Sequence, residues 1–149
     1  MIQEIIPNLY SIPVPLPNNP LKELNAYLVK GPDRSLLIDT GFNLPECMEA
    51  LERGLAETGV DRSRLDVLVT HIHTDHTGLS ARVVSPGGKI YIGELDHPFT
   101  AQKFEDWFWE KMDKRFLKEG FPAEEIEVVS RTNPARHLGP SWTSAPTPP

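Results

Sequence analysis

Three of the five histidines in this 149-residue chain stand in one six-residue stretch, His71-Ile72-His73-Thr74-Asp75-His76. Neutral imidazole nitrogen and carboxylate oxygen are the donors that zinc, iron and manganese take. A single histidine at a strand end is usually an ordinary polar loop residue. Three at this spacing, with an aspartate among them, read as a metal-binding site. His71, His73, Asp75 and His76 are therefore the candidate ligands, and Asp75 can bind metal, orient a water, or do both. Imidazole binds a cation only as the neutral base, so acid should release the metal by protonation.

These residues need a scaffold. The apolar run Leu65–Val69 precedes the motif directly, and Val67-Leu68-Val69 reads as a buried strand. If the chain stays extended, His71 and His73 share one side, because strand side chains alternate. Asp75 and His76 then follow in a turn closed by Gly78, which tolerates positive φ or a close backbone approach. Upstream, residues 25–30 and 35–38 read as strands joined by Gly31-Pro32-Asp33, hence a hairpin. The second of these ends in Asp39-Thr40-Gly41, which alone is an Asx-type turn. Residues 3–17 intersperse apolar residues with prolines, consistent with edge strands or a meander.

Residues 44–58 read as a helix, with Asn43 as N-cap, Glu46 completing a capping box and Gly59 as the stop. Leu44, Cys47, Met48, Leu51 and Leu55 fall near one face. Residues 79–84 begin a short helix, Pro86-Gly87-Gly88 turns, and residues 89–92 form a strand. Phe104, Phe108, Met112 and Phe116 then recur every four residues, widened by Trp107, Trp109 and Leu117, in a helix ended by Gly120. Core packing is the first reading of this stripe; a lid beside the site or a partner-facing surface is the other. Residues 123–131 read as one more helix. From Asn133 the chain is rich in Pro, Ser and Thr and reads as an extended connector. The expected division is one domain at residues 1–132 and a tail at 133–149.

The His-x-His-x-Asp-His stretch resembles the signature of the metallo-β-lactamase superfamily, the αββα metallohydrolases. The run Leu36-Leu37-Ile38-Asp39-Thr40-Gly41 resembles that family's first motif, an apolar strand ending in Asp-Thr-Gly. The resemblance covers roughly residues 5–136. It implies an α+β chain forming the N-terminal half of the four-layer αββα fold, a mixed sheet with helices on its outer face. It implies that His71 and His73 hold a first metal, that Asp75 and His76 hold a second, and that Asp39 supports the site without ligating. The implied cofactor is zinc, binuclear in the complete enzyme, with iron or manganese as alternatives. The implied reaction is hydrolysis by a metal-bound hydroxide held by Asp75, the catalytic residue.

The chain departs from that family after His76. A later Gly-His-Thr-x-Gly-His motif, a bridging Asp and a final His have no recognisable counterpart. The remaining histidines are His97, at an expected strand exit, and His137, in Ala135-Arg136-His137-Leu138-Gly139. The expectation is therefore a chain ending before the remaining metal motifs, inactive alone. It is either cut from a longer protein, completed by another chain, or a natural degenerate form. A lone half of this fold would expose an apolar sheet face, so a homo-oligomer or association with a missing C-terminal half is expected. The expected substrate of the complete enzyme is a small ester, thioester or lactone. The alternatives are a non-catalytic metal-binding or assembly half-fold, and an iron-dependent sulfur dioxygenase, since two His and one carboxylate also hold Fe(II).

Composition sets wider bounds. A net charge of −6 and a pI near 5.3 disfavour nucleic-acid or anionic-membrane partners. No basic cluster interleaves with aromatics, which lowers the nuclease option. Cys47 is the sole cysteine, excludes an intrachain disulfide, and reads as a packed small side chain. No apolar run reaches membrane-span length, and Met1-Ile2-Gln3-Glu4 lacks a basic leader, so a cytoplasmic location is expected.

Overall fold

The computed structural model describes residues 1–97, 106–133 and Arg136. Six strands form one sheet in chain order: β1 (Gln3–Ile6), β2 (Leu9–Pro15), β3 (Glu23–Val29), β4 (Ser35–Ile38), β5 (Leu65–Val69) and β6 (Ile90–Ile92). The first four pair antiparallel, and β4, β5 and β6 pair parallel. The change of direction requires crossovers. Helix α1 (Pro45–Glu57) fills the first, and the one-turn helices α2 (Thr74–Thr77) and α3 (Ser80–Val83) lie in the second. Helices α4 (Asp106–Lys118) and α5 (Ala123–Thr132) follow. The expected mixed sheet with helices is what the chain forms. No described helix is long and apolar enough to cross a membrane.

Alternation along the strands builds the core. Ile12 and Val14 of β2, Ala26 and Leu28 of β3, Leu37 of β4 and Val67 of β5 are buried. Helix α1 lays Cys47, Leu51 and Leu55 against them. Each fully buried leucine contributes about 2 kcal/mol. Cys47 Sγ donates to the Pro15 carbonyl at 3.1 Å, and burial pushes its thiol pKa up. It is a packed side chain, as its helical position implied.

The opposite face of the sheet is open. Register sets Tyr27, Ile38, Leu68 and Tyr91 side by side across four strands. A second row runs Ile6, Leu9, Val29 and Leu36. Ile6 is 59% exposed and Tyr91 45%.

Two expectations are corrected. The capping box of Asn43 and Glu46 does not form, because the N-cap is Leu44, with no side-chain cap. Pro45 needs none, since its ring presets φ and it has no amide hydrogen to satisfy. Asn43 Oδ1 instead accepts from Arg82 Nη1 at 2.9 Å. The helix stop does hold: Gly59 takes φ +65° and its N–H donates to the Ala56 carbonyl.

The aromatic stripe is not a buried core either. Phe108, Trp109, Met112 and Phe116 of α4 are only partly covered. They lie in a small helical hairpin, with Phe116 edge-on to Phe121 and the Arg136 guanidinium 4.7 Å over the Trp109 ring. Arg136 also pairs with Asp113. Among the described residues, a thirteen-residue and a ten-residue helix supply too little surface to enclose these rings. Phe99, Phe104, the Trp107 side chain, His137 and the rest of the expected connector lie outside the described residues.

At the base of the parallel strands, Arg34 grips Asp66 with two hydrogen bonds, 2.9 and 2.7 Å, and reaches Ser85 Oγ at 3.0 Å. The Lys89 N–H donates to Asp66 Oδ1 at 2.8 Å. Arg34 and then Lys89 hold the Asp66 carboxyl below its ordinary value. A carboxyl whose pKa is lowered on folding stabilises the fold fully above its unfolded pKa of about 3.9, and that stability is lost as pH falls toward the folded value. Below about pH 4, the Tm of the parent should therefore fall toward that of Asp66→Asn. Parallel Tm curves for the two proteins down through this range would contradict it.

Candidate metal centre

The site forms at the carboxyl ends of β4 and β5, the edge where open sheets with parallel strands bind ligands. Asp39 follows β4 and continues the ladder, its N–H donating to the Leu68 carbonyl at 2.9 Å. Its φ of +59° is left-handed, a conformation aspartate tolerates better than most residues. Next to it, the Thr40 N–H and hydroxyl both donate to the His76 carbonyl, at 3.0 and 2.9 Å. Thr40 Oγ1 in turn accepts from the Leu79 N–H at 3.1 Å. One threonine thus ties the histidine motif to the end of β4.

The chain bends after Val69 instead of staying extended. His73 becomes the N-cap of α2, and its carbonyl accepts from the His76 and Thr77 N–H groups. Asp75 and His76 lie within this single helical turn. Gly78 closes it with an ordinary helical φ, so its role is close approach. A Cβ there would lie 2.5 Å from the Asn43 nitrogen and the Gly41 oxygen, and 2.7 Å from the Thr74 oxygen.

The fold brings the expected residues together. The His71 ring lies 4.4 Å from that of His73 and 4.0 Å from that of His76, centre to centre. His76 Nδ1 is 2.8 Å from Asp39 Oδ2, and His76 Nε2 is 3.7 Å from Asp75 Oδ2. Among the described residues, no three His, Cys, Asp or Glu groups stand in a ready metal cage. The imidazoles pack ring against ring, and one nitrogen of His76 is held by Asp39. His97 follows the turn after β6 in helical conformation, its N–H donating to the Gly93 carbonyl.

One pair of these donors is spaced for a divalent ion nonetheless. The 3.7 Å gap between His76 Nε2 and Asp75 Oδ2 exceeds a hydrogen bond. It is near the spacing of about 3.4 Å that two donors keep when each lies at zinc-ligand distance in a tetrahedral site. Asp39 on the far nitrogen of His76 is the carboxylate that typically backs a ligating imidazole.

The electrostatics separates His76 from His71. Burial pushes the Asp39 carboxyl up, but hydrogen bonds from His76 and Thr70 more than offset this, and its pKa lies below the ordinary value. Burial pushes His76 down, while the hydrogen bond to Asp39 and the charges of Asp39 and Asp75 prevail and raise it. His71 is lowered by burial first and then by His76 and His73, with Asp39 and Asp75 opposing. His71 is therefore neutral at neutral pH, the form a ligand needs.

One residue of the site escapes a motif search. Thr70 donates its N–H to Asp39 Oδ1 at 2.9 Å, and its hydroxyl lies 2.8 Å from Asp39 Oδ2. A threonine after a strand is ordinary; the only signal was its place directly before His71.

Comparison with known proteins agrees with this geometry. The family model of the metallo-beta-lactamase superfamily matches residues 22–149. The chain is 36% identical over 116 residues to the probable metallo-hydrolase YqjP of Bacillus subtilis, covering 76% of this chain and 34% of that protein. It is 36% identical over 81 residues to an atrochrysone carboxyl ACP thioesterase of Aspergillus novofumigatus, covering 52% of this chain and 24% of that one. The crystal structure of a metallo-beta-lactamase family protein from Thermus thermophilus superposes with a TM-score of 0.69 at 31% identity, over 98% of this chain and 46% of that one. The chain thus spans about a third of the Bacillus relative and under half of the Thermus protein. With its sheet order, its Asp39 turn and its His71–His76 stretch all in place, this chain belongs to the metallo-beta-lactamase superfamily.

Proposed function

We propose that the whole protein, of whose relatives this chain spans a third to a half, is a metal-dependent hydrolase of small esters, thioesters or lactones, and that this chain alone is inactive. Membership of the superfamily implies a divalent metal; zinc is the proposed ion. His71 and His73 would hold one ion, and Asp75 and His76 a second. The observation that carries this reading is the His76 imidazole, held by Asp39 on one nitrogen and facing Asp75 across 3.7 Å on the other. A divalent ion held there would supply a water of lowered pKa and a Lewis acid for a carbonyl oxygen. Asp75 orients the attacking water through its carboxylate, Asp39 keeps the His76 ring in place, and His71 stays neutral because of its surroundings. The thioesterase name of the Aspergillus relative favours the thioester arm.

The open row of Tyr27, Ile38, Leu68 and Tyr91 supports a companion proposal. A second apolar layer covers this face in the working protein, either from another copy or from further protein outside these residues.

The test is metal content, by elemental analysis of the whole protein purified without chelator. About two equivalents per chain are expected, with a clear loss in His71→Ala. The same preparation should cleave an S-acyl thioester probe and stop when a chelator removes the metal. A parent that holds no more metal than His71→Ala overturns the reading.

A further inference from the structure

Thr70 is outside the proposed ligand set, yet its hydroxyl touches three groups of the site. Oγ1 lies 2.8 Å from Asp39 Oδ2 and 3.1 Å from Asp39 Oδ1. It also lies 3.1 Å from His71 Nδ1 and 3.4 Å from His76 Nδ1. Counting hydrogens decides which way these bonds run. An ionised carboxylate only accepts, and a hydroxyl has one hydrogen and two lone pairs. With that hydrogen committed to Asp39, Oγ1 meets His71 Nδ1 with a lone pair. The 3.1 Å contact is then a hydrogen bond only when His71 carries its proton on Nδ1. His76 is under the same constraint directly, because its Nδ1 sits 2.8 Å from Asp39 Oδ2.

We propose that Thr70 is a positioning residue: its hydroxyl relays the hydrogen-bond demand of Asp39 to His71 and holds that ring in the Nδ1–H form, with Nε2 as the donor offered to a divalent cation. One buried carboxylate thus orders two imidazoles, His76 by contact and His71 through a hydroxyl. Without the relay, the neutral His71 ring has no partner that selects between its two tautomers at this nitrogen, and part of its population must move a proton before Nε2 can bind. The inference rests on the metal reading above.

The first readout needs no variant. Two-bond proton–nitrogen correlation NMR on the metal-free, ¹⁵N-labelled full chain at neutral pH should show His71 with Nδ1 protonated and Nε2 bearing a lone pair. Two variants follow, Thr70→Val, which keeps the shape and removes the hydroxyl, and Thr70→Ser, which keeps the hydroxyl. By chelator competition, Thr70→Val should bind Zn²⁺ about 10–100-fold more weakly than the parent, and Thr70→Ser within about threefold of it. Thr70→Val should also show a mixed His71 tautomer. His71 protonated on Nε2 in the parent overturns the proposal. So does a Thr70→Val protein with the parent's tautomer and affinity, or a Thr70→Ser protein as weak as Thr70→Val. If Thr70→Val does not fold, the parent's tautomer and the Thr70→Ser affinity decide. Zinc binding with His71 in the other tautomer defeats this proposal alone, whereas a chain that takes up no zinc defeats the metal reading and this proposal with it.

Discussion

Asp75→Asn in the whole protein, brought to the same metal content as the parent, should cleave a thioester probe about 10²–10⁴-fold more slowly, the range a positioned acid–base group supplies. Asparagine keeps the volume and one oxygen of the side chain and removes its charge. It replaces an acceptor-only oxygen with an amide that donates. In the first turn of α2, Asp75 is half-buried and faces His76 Nε2 at 3.7 Å, so the new amide would meet the nitrogen meant for the cation. Weaker metal binding is expected as well, and matched occupancy separates that loss from the loss of rate. Equal turnover at equal occupancy would remove Asp75 from the reaction and leave it a ligand only.

The second large effect is on stability. Gly78→Ala should cost about 3 kcal/mol, the upper end for overpacking a site that cannot relax. The methyl group would meet three backbone atoms, of Asn43, Gly41 and Thr74, all within 2.7 Å. Side chains can rotate away from such a contact; backbone held by two elements cannot. Gly59 is the control. Its φ is +65°, but nothing lies within 4 Å of an added Cβ, so Gly59→Ala should cost only the left-handed strain of about 1–2 kcal/mol. Denaturant unfolding of the two variants measures the difference. If Gly59→Ala proved the more damaging, close packing at Gly78 would not be what fixes α2. Because α2 carries Asp75 and His76, Gly78→Ala should weaken zinc binding too.

What the sequence revealed was local. The apolar run at Leu65–Val69 and the histidines after it identify a strand and a site, because period and donor chemistry both lie within a dozen residues. Asp39 was legible as a support only through the resemblance of Leu36–Gly41 to the family's first motif, since by position alone it reads as an Asx-type turn. The misses have distant partners. Asn43 looks like a cap until Arg82, 39 residues away, takes its side chain. Arg34 and Asp66 are 32 residues apart and meet only because β4 and β5 pair in parallel. Thr70 acts through Asp39, 31 residues earlier. The helical period of α4 was read correctly, but periodicity identifies an apolar face without telling what covers it.

The order of the strands in the sheet, β1 to β6 without interruption, bears on how the molecule assembles. Each strand, once made, finds its predecessor already at the growing edge, so no pairing waits for a distant segment. Loop-closure entropy is met in small steps: the β1–β2 and β3–β4 connections are short, and only the two parallel joins span longer stretches. The sheet can therefore extend in the direction of synthesis. The metal-binding end is completed late, because Asp39 gains its Thr70 and His76 partners only after β5 has docked beside β4. Folding should precede metal capture, because a chain lacking residues 70–76 lacks the partners of Asp39.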